Sequence, residues 1–316
     1  MAKIKFGVAL SPGVWWRNIS EFDRCLSEIE GLGYDGAFIP DHPVSVRIPY
    51  IHQARILNPL DCWVVLSYIA GKTESVRLGA LVSPVPRYVP SQLAKMVATL
   101  DVLSNGRVIV GVGSGYVPEE FINYSPIGAF EPHKIRVERL REGLEIMIRL
   151  WTEDVVSFDG KYYKLKDAFL EPKPIQKPHP PLWSGVRGKL AIKVTAKYCN
   201  GWISPELRHG PVEVAPGKWE MQFLYHVTPE IYEENANRIK NYLKKYGRSV
   251  EDFKFILFGL SSGMAEDITK IEKFMQVGCS YWVISVEQSL SPKTGQYYEE
   301  YMKLLRNFAK NVMPSF

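Results

Sequence analysis

The sequence has few cysteines and few histidines, and neither residue is spaced for a metal site. No two cysteines form a CxxC pair, and the histidines show no HxxxH pattern, whereas zinc sites use such closely spaced ligands. We therefore expect no metal centre. Isolated cysteines are typical of buried, reduced thiols in a cytoplasmic protein; those of this chain are Cys25, Cys62, Cys199 and Cys279.

Long apolar runs and dense basic runs are also missing. No stretch approaches the roughly 18 apolar residues of a membrane span. The first apolar segment is broken at Ser11-Pro12-Gly13, so we predict a strand there and not a signal peptide. The net charge of +5 comes from scattered Lys and Arg. This pattern argues against nucleic acid or a membrane as a partner and favours a small anionic ligand.

Short apolar runs that alternate with helical patterns fill most of the chain. Parallel strands buried on both faces give continuous apolar runs, and eight strands, each followed by a helix, are typical of a (β/α)8 barrel. We therefore predict the α/β class, with one TIM-barrel domain over residues 1–316; a doubly wound open sheet is the alternative. The predicted strands are 3–10, 35–40, 76–83, 106–113, 181–185, 201–204, 253–259 and 280–286.

Two insertions interrupt the alternation, at about 152–180 and 205–228. The first contains VVSFDGKYYKL, which is typical of a hairpin turning at Asp159-Gly160, and a proline-rich connector. The second is rich in Gly, Pro and His. We predict that it forms a long loop that acts as a lid over the barrel mouth.

The stretch FIPDHP, residues 38–43, places an acid beside an imidazole where a predicted strand ends. A turn alone would explain an aspartate and a proline here. Barrel enzymes, however, carry their reacting groups on the loops that follow the strands. Asp41 and His42 are therefore candidate catalytic residues.

Three other segments lie at the same end of the predicted barrel. SGVRG, residues 184–188, suits a phosphate held by backbone N–H groups at a helix N-terminus, or only a tight turn that needs glycine. GVGSGY, residues 111–116, is not a dinucleotide fingerprint, because Tyr116 replaces the third glycine; its glycines suit close packing or a planar ligand. Trp15 and Trp16 would line a substrate pocket or cap the barrel.

Several of these segments resemble the bacterial luciferase-like superfamily of barrel oxidoreductases, and more closely its branch that uses the deazaflavin coenzyme F420. The matching segments include GYDGAFIPDH, TLDVLSNGRVIVGVGSGY, GLEIMIRLW, FDGKYYKL and PLWSGVRG. The PDH at residues 40–42 favours the deazaflavin branch. The resemblance implies coenzyme F420, with FMN as the alternative, a small-molecule substrate, and a homodimer formed through helices on one side of the barrel.

The resemblance also implies roles for individual residues. Asp41 would bond near the deazaflavin ring, and His42 would be the general acid or base beside it. If the two side chains converge, Asp41 would also fix the tautomer of His42. A non-prolyl cis peptide would fall between Ala80 and Leu81, in a bulge against the ring. The implied cofactor contacts are Asp41, Ala80, Leu81, Ser83, Gly113, Gly115, Tyr116, Ser184, Gly185, Val186, Arg187 and Gly188.

One position departs from the family pattern. The sugar-phosphate dehydrogenases of the F420 branch carry a glutamate directly after GVGxG, where this chain has Tyr116. The departure puts a sugar-phosphate reaction in doubt and leaves the second proton-transfer group open, with Glu119 and Glu120 as candidates on the same loop. The predicted function is an F420-dependent oxidoreductase that moves a hydride to or from a small organic substrate. The alternatives are an FMN-dependent monooxygenase and a catalytically silent flavin-binding barrel.

Overall fold

The described part of the chain forms a closed barrel of parallel strands with helices around it. The computed structural model describes residues 4–10, 18–43, 60–215, 218–261, 263–285 and 297–316; within these ranges, only the backbone is described for residues 207–223 and 297. The strands are β1 (Lys5–Ala9), β2 (Gly36–Ile39), β3 (Arg77–Ala80), β4 (Ser83–Pro84), β5 (Val108–Gly113), β6 (Val156–Asp159), β7 (Lys164–Ala168), β8 (Leu182–Ser184), β9 (Gly201–Pro205), β10 (Leu207–Ala215), β11 (Lys218–His226), β12 (Lys254–Leu260) and β13 (Tyr281–Ser285). The helices are α1 (Ile19–Gly31), α2 (Cys62–Lys72), α3 (Pro90–Leu103), α4 (Pro118–Tyr124), α5 (His133–Thr152), α6 (Lys189–Tyr198), α7 (Pro229–Lys245), α8 (Glu266–Gln276) and α9 (Tyr297–Asn311), with 3₁₀ turns at Val85–Arg87 and Met313–Ser315.

The strand order is that of a (β/α)8 TIM barrel. The sheet runs β3-β2-β1-β13-β12-β9-β8-β5, and β5 pairs with β3 to close it. The short strand β4 continues the third strand after a break and pairs with the end of β5. All these pairings are parallel. The predicted barrel and its eight strands are therefore confirmed, and the open-sheet alternative is wrong.

The inside of the barrel is a packed core and not a channel. Three aromatic rings fill its centre: Trp183 lies 4.9 Å from Tyr281 and 5.6 Å from Phe38, measured between ring centroids. Apolar side chains from neighbouring strands complete this inner cluster, and a separate, larger apolar layer lies between the strands and the helices. Because the interior is filled, a ligand has to bind above it, at an end of the strands.

The two insertions have different structures. The segment 156–168 forms the predicted hairpin, in which Asp159 pairs with Lys164 and the Gly160 N–H donates to the Tyr163 carbonyl at 3.0 Å. The segment 205–228 is not a loop: β10 and β11 pair as a second antiparallel hairpin. That prediction is wrong because Gly210 and Pro211 lie within a paired strand, whereas such residues usually end regular structure.

The base of the second hairpin is fixed to the barrel. Glu206 accepts a hydrogen bond from the Leu260 N–H at 2.8 Å, and its other oxygen lies 2.7 Å from Lys270 Nζ. The hairpin therefore leaves the barrel at the carboxyl ends of β9 and β12. Its role as a lid stays a prediction.

The cysteines match a further expectation. All four cysteines are free and buried, and burial raises the pKa of the Cys199 thiol to about 12. Such thiols are protonated near neutral pH and unreactive.

None of the helices in the described ranges is both long enough and apolar enough to cross a membrane.

Glu30 ties the α2–β3 connection to helix α1, and its removal should weaken the fold. Its carboxylate accepts hydrogen bonds from the N–H groups of residues 74–76 and from Ser75 Oγ. Burial would raise the pKa of Glu30, but these bonds outweigh it and lower the pKa. We expect Glu30→Gln to lower the free energy of unfolding by about 1 kcal/mol, the low end for bonds to a charged group because solvent screens this site.

The same bonds set the pH dependence of that effect. A lowered pKa in the folded state means that the Glu30 contribution is fully present above the usual glutamate value of about 4.3 and is lost as the pH falls through the lowered pKa. Urea unfolding at pH 7 and at acidic pH should therefore show a difference between Glu30→Gln and wild type that shrinks in acid. Glu74→Gln is the control, because Glu74 binds Glu30 through its backbone. Equal losses in both variants would contradict this account.

Candidate active site

The carboxyl ends of the parallel strands bring the predicted site residues to one end of the barrel. Asp41 and His42 follow β2, Ser83 begins β4, Tyr116 follows β5, and residues 185–188 follow β8. The strands that carry them are neighbours in the closed sheet. These side chains therefore surround one mouth of the barrel, the end at which barrel enzymes place their chemistry.

Asp41 lies at the centre of a buried hydrogen-bond cluster. Its side chain is 3% exposed. One carboxylate oxygen accepts a hydrogen bond from Ser83 Oγ and the other from Arg87 Nη2. The Tyr88 hydroxyl lies 3.0 and 2.9 Å from the two oxygens. Both oxygens of Asp41 are thus occupied by partners within the protein.

Arg87 connects Asp41 to a second buried carboxylate. Its side chain is 4% exposed, and its Nη1 lies 3.4 Å from Glu120 Oε2. Burial alone would lower the pKa of Arg87, but Asp41, Tyr88 and Glu120 raise it above its usual value. The guanidinium therefore stays charged between the two carboxylates, which offsets the cost of burying them.

His42 is bound by Glu120 and not by Asp41. Its Nδ1 lies 2.6 Å from Glu120 Oε1, and its Nε2 lies 3.2 Å from the Tyr116 hydroxyl. The His42 side chain is 15% exposed, whereas that of Glu120 is 2% exposed, so the ring lies between a buried acid and the open mouth. Such an imidazole can accept or deliver a proton at the mouth. We refer to Asp41, Arg87, Glu120, His42 and Tyr116 as the mouth network.

This geometry corrects one expectation and decides between two others. The proposal that Asp41 fixes the tautomer of His42 is wrong, because Asp41 is occupied by other partners and Glu120 takes that place. Of the two candidate acids, Glu119 is exposed and Glu120 is buried, and both lie on helix α4 and not in a loop. Sequence reasoning missed Arg87 and Tyr88. The signal that could have found them is a cation within the apolar segment PVPRYVP, directly after the third strand.

A bulge between β3 and β4 gives the mouth an apolar surface. Leu81 and Val82 are partly exposed there and pack on the inner cluster of the barrel. The cis peptide joins Leu81 to Val82, so the predicted position, Ala80 to Leu81, is wrong by one residue. The reason is that the Leu81 N–H still donates to the Ile39 carbonyl at 2.8 Å. The strand ladder therefore continues to Leu81, while the Ala80 side chain is buried in the outer layer.

The glycines at the end of β5 and just after it are needed for close packing. A Cβ on Gly113 would lie 2.9 Å from Val82 Cγ2. Gly115 has a φ of +75°, and a Cβ there would lie 2.4 Å from the Phe121 ring, which excludes a larger residue. The packing interpretation of this segment is confirmed. Contact of Gly113, Gly115 or Tyr116 with a planar ligand stays a prediction.

The loop after β8 forms the glycine-rich start of helix α6. Gly188 occupies the N-cap position with a φ of 90°, and the cap has no side-chain hydrogen bond. Ser184 lies deeper, since its Oγ accepts a hydrogen bond from Thr195 Oγ1 at 2.8 Å and the residue is 1% exposed. Val186 is buried, and its carbonyl accepts from Trp202 Nε1. Gly185, Arg187 and Gly188 are therefore the accessible part of the predicted phosphate loop.

Basic side chains from helix α5 lie near this loop. Partial burial and the neighbouring Arg136 and Arg187 lower the pKa of His133, so these three side chains are close enough to interact. Arg136 is 5% exposed, and its Nε finds no hydrogen-bond partner among the described residues. Burial, partly offset by Glu131, lowers the pKa of Arg136 to about 10, which leaves it charged at neutral pH. We call His133, Arg136 and Arg187 the basic corner; its two guanidinium groups suit an anion.

Two predicted pocket residues cannot be placed in this mouth. Trp15 and Trp16 lie outside the described residues, so their role stays a prediction. Within the described ranges, no group of three or more His, Cys, Asp and Glu side chains is placed to hold a metal ion.

Comparison with known proteins identifies the family. A family model described as luciferase-like monooxygenase matches residues 1–211. An F420-dependent glucose-6-phosphate dehydrogenase from Microbacterium testaceum is 29% identical over 247 residues, covering 77% of this chain and 64% of the relative. This chain thus spans less than two thirds of that relative's length.

Two solved structures share the fold over nearly the whole chain. An F420-dependent secondary alcohol dehydrogenase, solved in complex with an F420-acetone adduct, has a TM-score of 0.73 and 17% identity and covers 97% of this chain and 99% of its own. The monooxygenase RslO1 from Streptomyces bottropensis has a TM-score of 0.73 and 20% identity and covers 99% of both chains. At these identities the likeness concerns the fold alone. Because the family model matches well over half of the sequence, this chain belongs to the luciferase-like monooxygenase family.

Proposed function

We propose that this protein is a coenzyme F420-dependent oxidoreductase that moves a hydride between the deazaflavin and a small alcohol or carbonyl compound. The observation that carries the proposal is His42, held by buried Glu120 at the barrel mouth with its Nε2 beside the Tyr116 hydroxyl. The similarity to an F420-dependent sugar-phosphate dehydrogenase and to an F420-dependent alcohol dehydrogenase supports the choice of coenzyme.

The described residues of the mouth fit a flat ring with an anionic tail. Leu81 and Val82 offer an apolar surface for the ring, next to Gly113 and Gly185, where a Cβ would lie within 3.0 Å of Val82. The accessible loop 185–188 and the basic corner offer N–H groups and positive charge for a phosphate. When bound, the deazaflavin supplies a carbon centre that accepts or returns a hydride.

The protein itself supplies the proton transfer that accompanies the hydride. When an alcohol is oxidised, the carbon loses a hydride and the hydroxyl proton has to pass to a base. We assign that role to His42 Nε2, with the Tyr116 hydroxyl donating to the same substrate oxygen. In the reverse direction His42 returns the proton to the carbonyl oxygen. Asp41 and Ser83, which are buried and bonded to each other, are proposed to support the coenzyme side of the mouth.

An FMN-dependent monooxygenase is the second candidate. It is favoured by the family description and by the likeness to a monooxygenase, whose TM-score equals that of the F420-dependent alcohol dehydrogenase. Absorbance titrations with F420 and with FMN discriminate between the two, since the deazaflavin absorbs at shorter wavelength. Tight binding of FMN without binding of F420 would favour this alternative over our proposal. A silent flavin-binding barrel would bind a coenzyme but turn over no substrate.

Arg187 should contribute directly to coenzyme affinity. Because a charge-assisted bond to a phosphate contributes about 1.5–3 kcal/mol, we expect Arg187→Ala to weaken F420 binding by about 10- to 100-fold. Lys193→Ala is the matched control on helix α6, which follows the loop; Lys193 Nζ lies over the Tyr242 ring, 5.8 Å from its centroid. Fluorescence or absorbance titration measures both affinities. Equal affinities for the two variants would contradict a phosphate site at this loop.

We also propose a homodimer in the cytoplasm. Helix α2 supports the first part, since Trp63 on it is buried while the adjacent Val64 is 69% exposed, as on a helix that packs on the barrel and on a partner. The four buried free thiols support a reducing compartment. Sedimentation at several concentrations tests the dimer.

A further inference from the structure

The His42–Glu120 pair places a restriction on the histidine proton. Glu120 Oε1 lies 2.6 Å from Nδ1, and an ionised carboxylate can only accept hydrogen bonds. Nδ1 therefore has to carry the proton in the neutral ring, which leaves the lone pair on Nε2. In the free protein the Tyr116 hydroxyl, 3.2 Å from Nε2, then has to be the donor, and a bound substrate would replace this bond. Desolvation and the nearby Glu120 raise the pKa of Tyr116, which keeps that hydroxyl protonated although 41% of the residue is exposed.

Arg87 supplies a positive charge beside the buried Glu120 carboxylate. The Glu120 side chain is 2% exposed, and a buried carboxylate needs a charged or hydrogen-bonding partner. Arg87 Nη1 approaches the oxygen of Glu120 that does not face His42, at 3.4 Å. The guanidinium is itself held by Asp41. Asp41 therefore acts on His42 indirectly. It fixes Arg87, and Arg87 stabilises the Glu120 carboxylate that binds the imidazole.

We propose that Glu120 is the positioning residue of this site, which keeps the His42 proton on Nδ1 and presents the basic Nε2 to substrate, and that Arg87 holds the Glu120 carboxylate in place through its second oxygen. The catalytic part of this proposal rests on the proposed function; the tautomer part does not. During alcohol oxidation the C–H bond breaks as a hydride leaves the carbinol carbon, the O–H bond breaks as its proton moves to Nε2, and the O–H electrons form the carbonyl π bond; a bound deazaflavin would accept the hydride. The resulting imidazolium keeps its Nδ1–H bond to Glu120.

The charges of the mouth network agree with this role. Asp41 and Glu120 carry two negative charges against the single positive charge of Arg87, so the network has one uncompensated negative charge when His42 is neutral. A proton on His42 brings the network to neutrality. Proton uptake at Nε2 therefore balances a buried charge and does not create one.

The tautomer can be measured in the free protein, without coenzyme or substrate. We would record ¹⁵N NMR spectra of histidine-labelled protein at a pH where the His42 ring is neutral, and identify its signals by their loss in His42→Asn. The expected wild-type result is a protonated Nδ1 and an unprotonated Nε2. In Glu120→Gln, the amide oxygen should face Arg87 and the amide NH₂ should donate to Nδ1, which moves the proton to Nε2.

Two further variants control this experiment. Glu120→Asp keeps an acceptor-only side chain and should retain the Nδ1 proton, and Glu119→Gln, on the exposed neighbour, should leave the spectrum of His42 as in wild type. A wild-type ring protonated on Nε2, or a Glu120→Gln spectrum identical to wild type, overturns the proposal. Neither result depends on which coenzyme the protein uses.

Kinetics then test the catalytic part. We expect Glu120→Gln to lower kcat about 100-fold with little change in KM, because the substrate would still bind but would meet a protonated Nε2. Glu120→Asp should recover part of the loss and Glu119→Gln should match wild type. An altered tautomer with unchanged kcat would overturn the positioning role. Absence of turnover in the wild type with F420, while the tautomer changes as expected, would contradict the proposed function and leave the assignment of Glu120 intact.

Discussion

Replacing His42 with asparagine should lower kcat for F420-dependent alcohol oxidation by about 10²- to 10⁴-fold, the usual contribution of general acid–base catalysis. Asparagine is close in size and its amide can still donate to Glu120, but it has no basic nitrogen to take the hydroxyl proton. Coenzyme affinity should stay near that of wild type, because the apolar bulge and the basic corner are unchanged. Steady-state kinetics with an F420 titration of the same preparation measure both quantities.

A second histidine variant shows whether the loss is specific to the mouth. His179 is partly buried beside Trp151, with ring centroids 5.7 Å apart, and it lies before β8, at the opposite end of that strand. His179→Asn should keep wild-type turnover at a temperature where both variants are folded. If His42→Asn retains turnover, the proton-transfer assignment is wrong. A silent flavin-binding barrel predicts instead that the wild type and both variants bind the coenzyme equally well and turn over no substrate.

Replacing Arg87 with methionine should be the most destabilising single change at the mouth, with a loss of about 3–5 kcal/mol in the free energy of unfolding. Arg87 is 4% exposed and is paired with the carboxylates of Asp41 and Glu120. Methionine fills similar space but leaves two buried negative charges without a cation. Breaking a buried pair on one side is costly because the remaining charge can neither reach water nor find a new partner.

Two other variants separate charge from geometry in this prediction. Arg87→Lys keeps the positive charge but lacks the planar guanidinium that binds two partners at once. Its loss in free energy of unfolding should therefore be smaller than that of Arg87→Met. Arg238→Met removes a guanidinium paired with Glu234 at an exposed site, where the side chains are 49% and 61% exposed; it should cost no more than about 1 kcal/mol. Urea unfolding of all three measures the losses. Similar values for Arg87→Met and Arg238→Met would contradict the role of Arg87.

The barrel and the place of the site could be predicted from the sequence because both depend on local patterns. The segment VIVGVG of β5 is buried at every position, and such runs identify parallel strands directly. Once the strands are located, the position of Asp41 and His42 at the carboxyl end of β2 follows from chain direction. The number of strands and the location of the mouth therefore needed no knowledge of side-chain contacts.

The partner of His42 could not be predicted in the same way. Glu120 is 78 residues from His42 in the chain, and their contact depends on where helix α4 begins after β5. Sequence adjacency favoured Asp41 instead, although neighbouring residues at a strand end point to different sides. The second hairpin was missed for another reason. Pro211 lies within β10, opposite Met221, and a two-stranded hairpin has outer edges on which proline is tolerated.

Hydride transfer from a deuterated alcohol tests the central claim most directly. The wild-type protein would be incubated without oxygen with F420 and a panel of small secondary alcohols that carry deuterium on the carbinol carbon, and the products would be analysed by mass spectrometry and NMR. The account predicts loss of the deazaflavin absorbance with at least one alcohol, and one deuterium in the reduced coenzyme for each carbonyl compound formed. The absence of deuterium transfer to F420 from any alcohol, together with oxygen consumption driven by reduced FMN in a parallel aerobic assay, would contradict it.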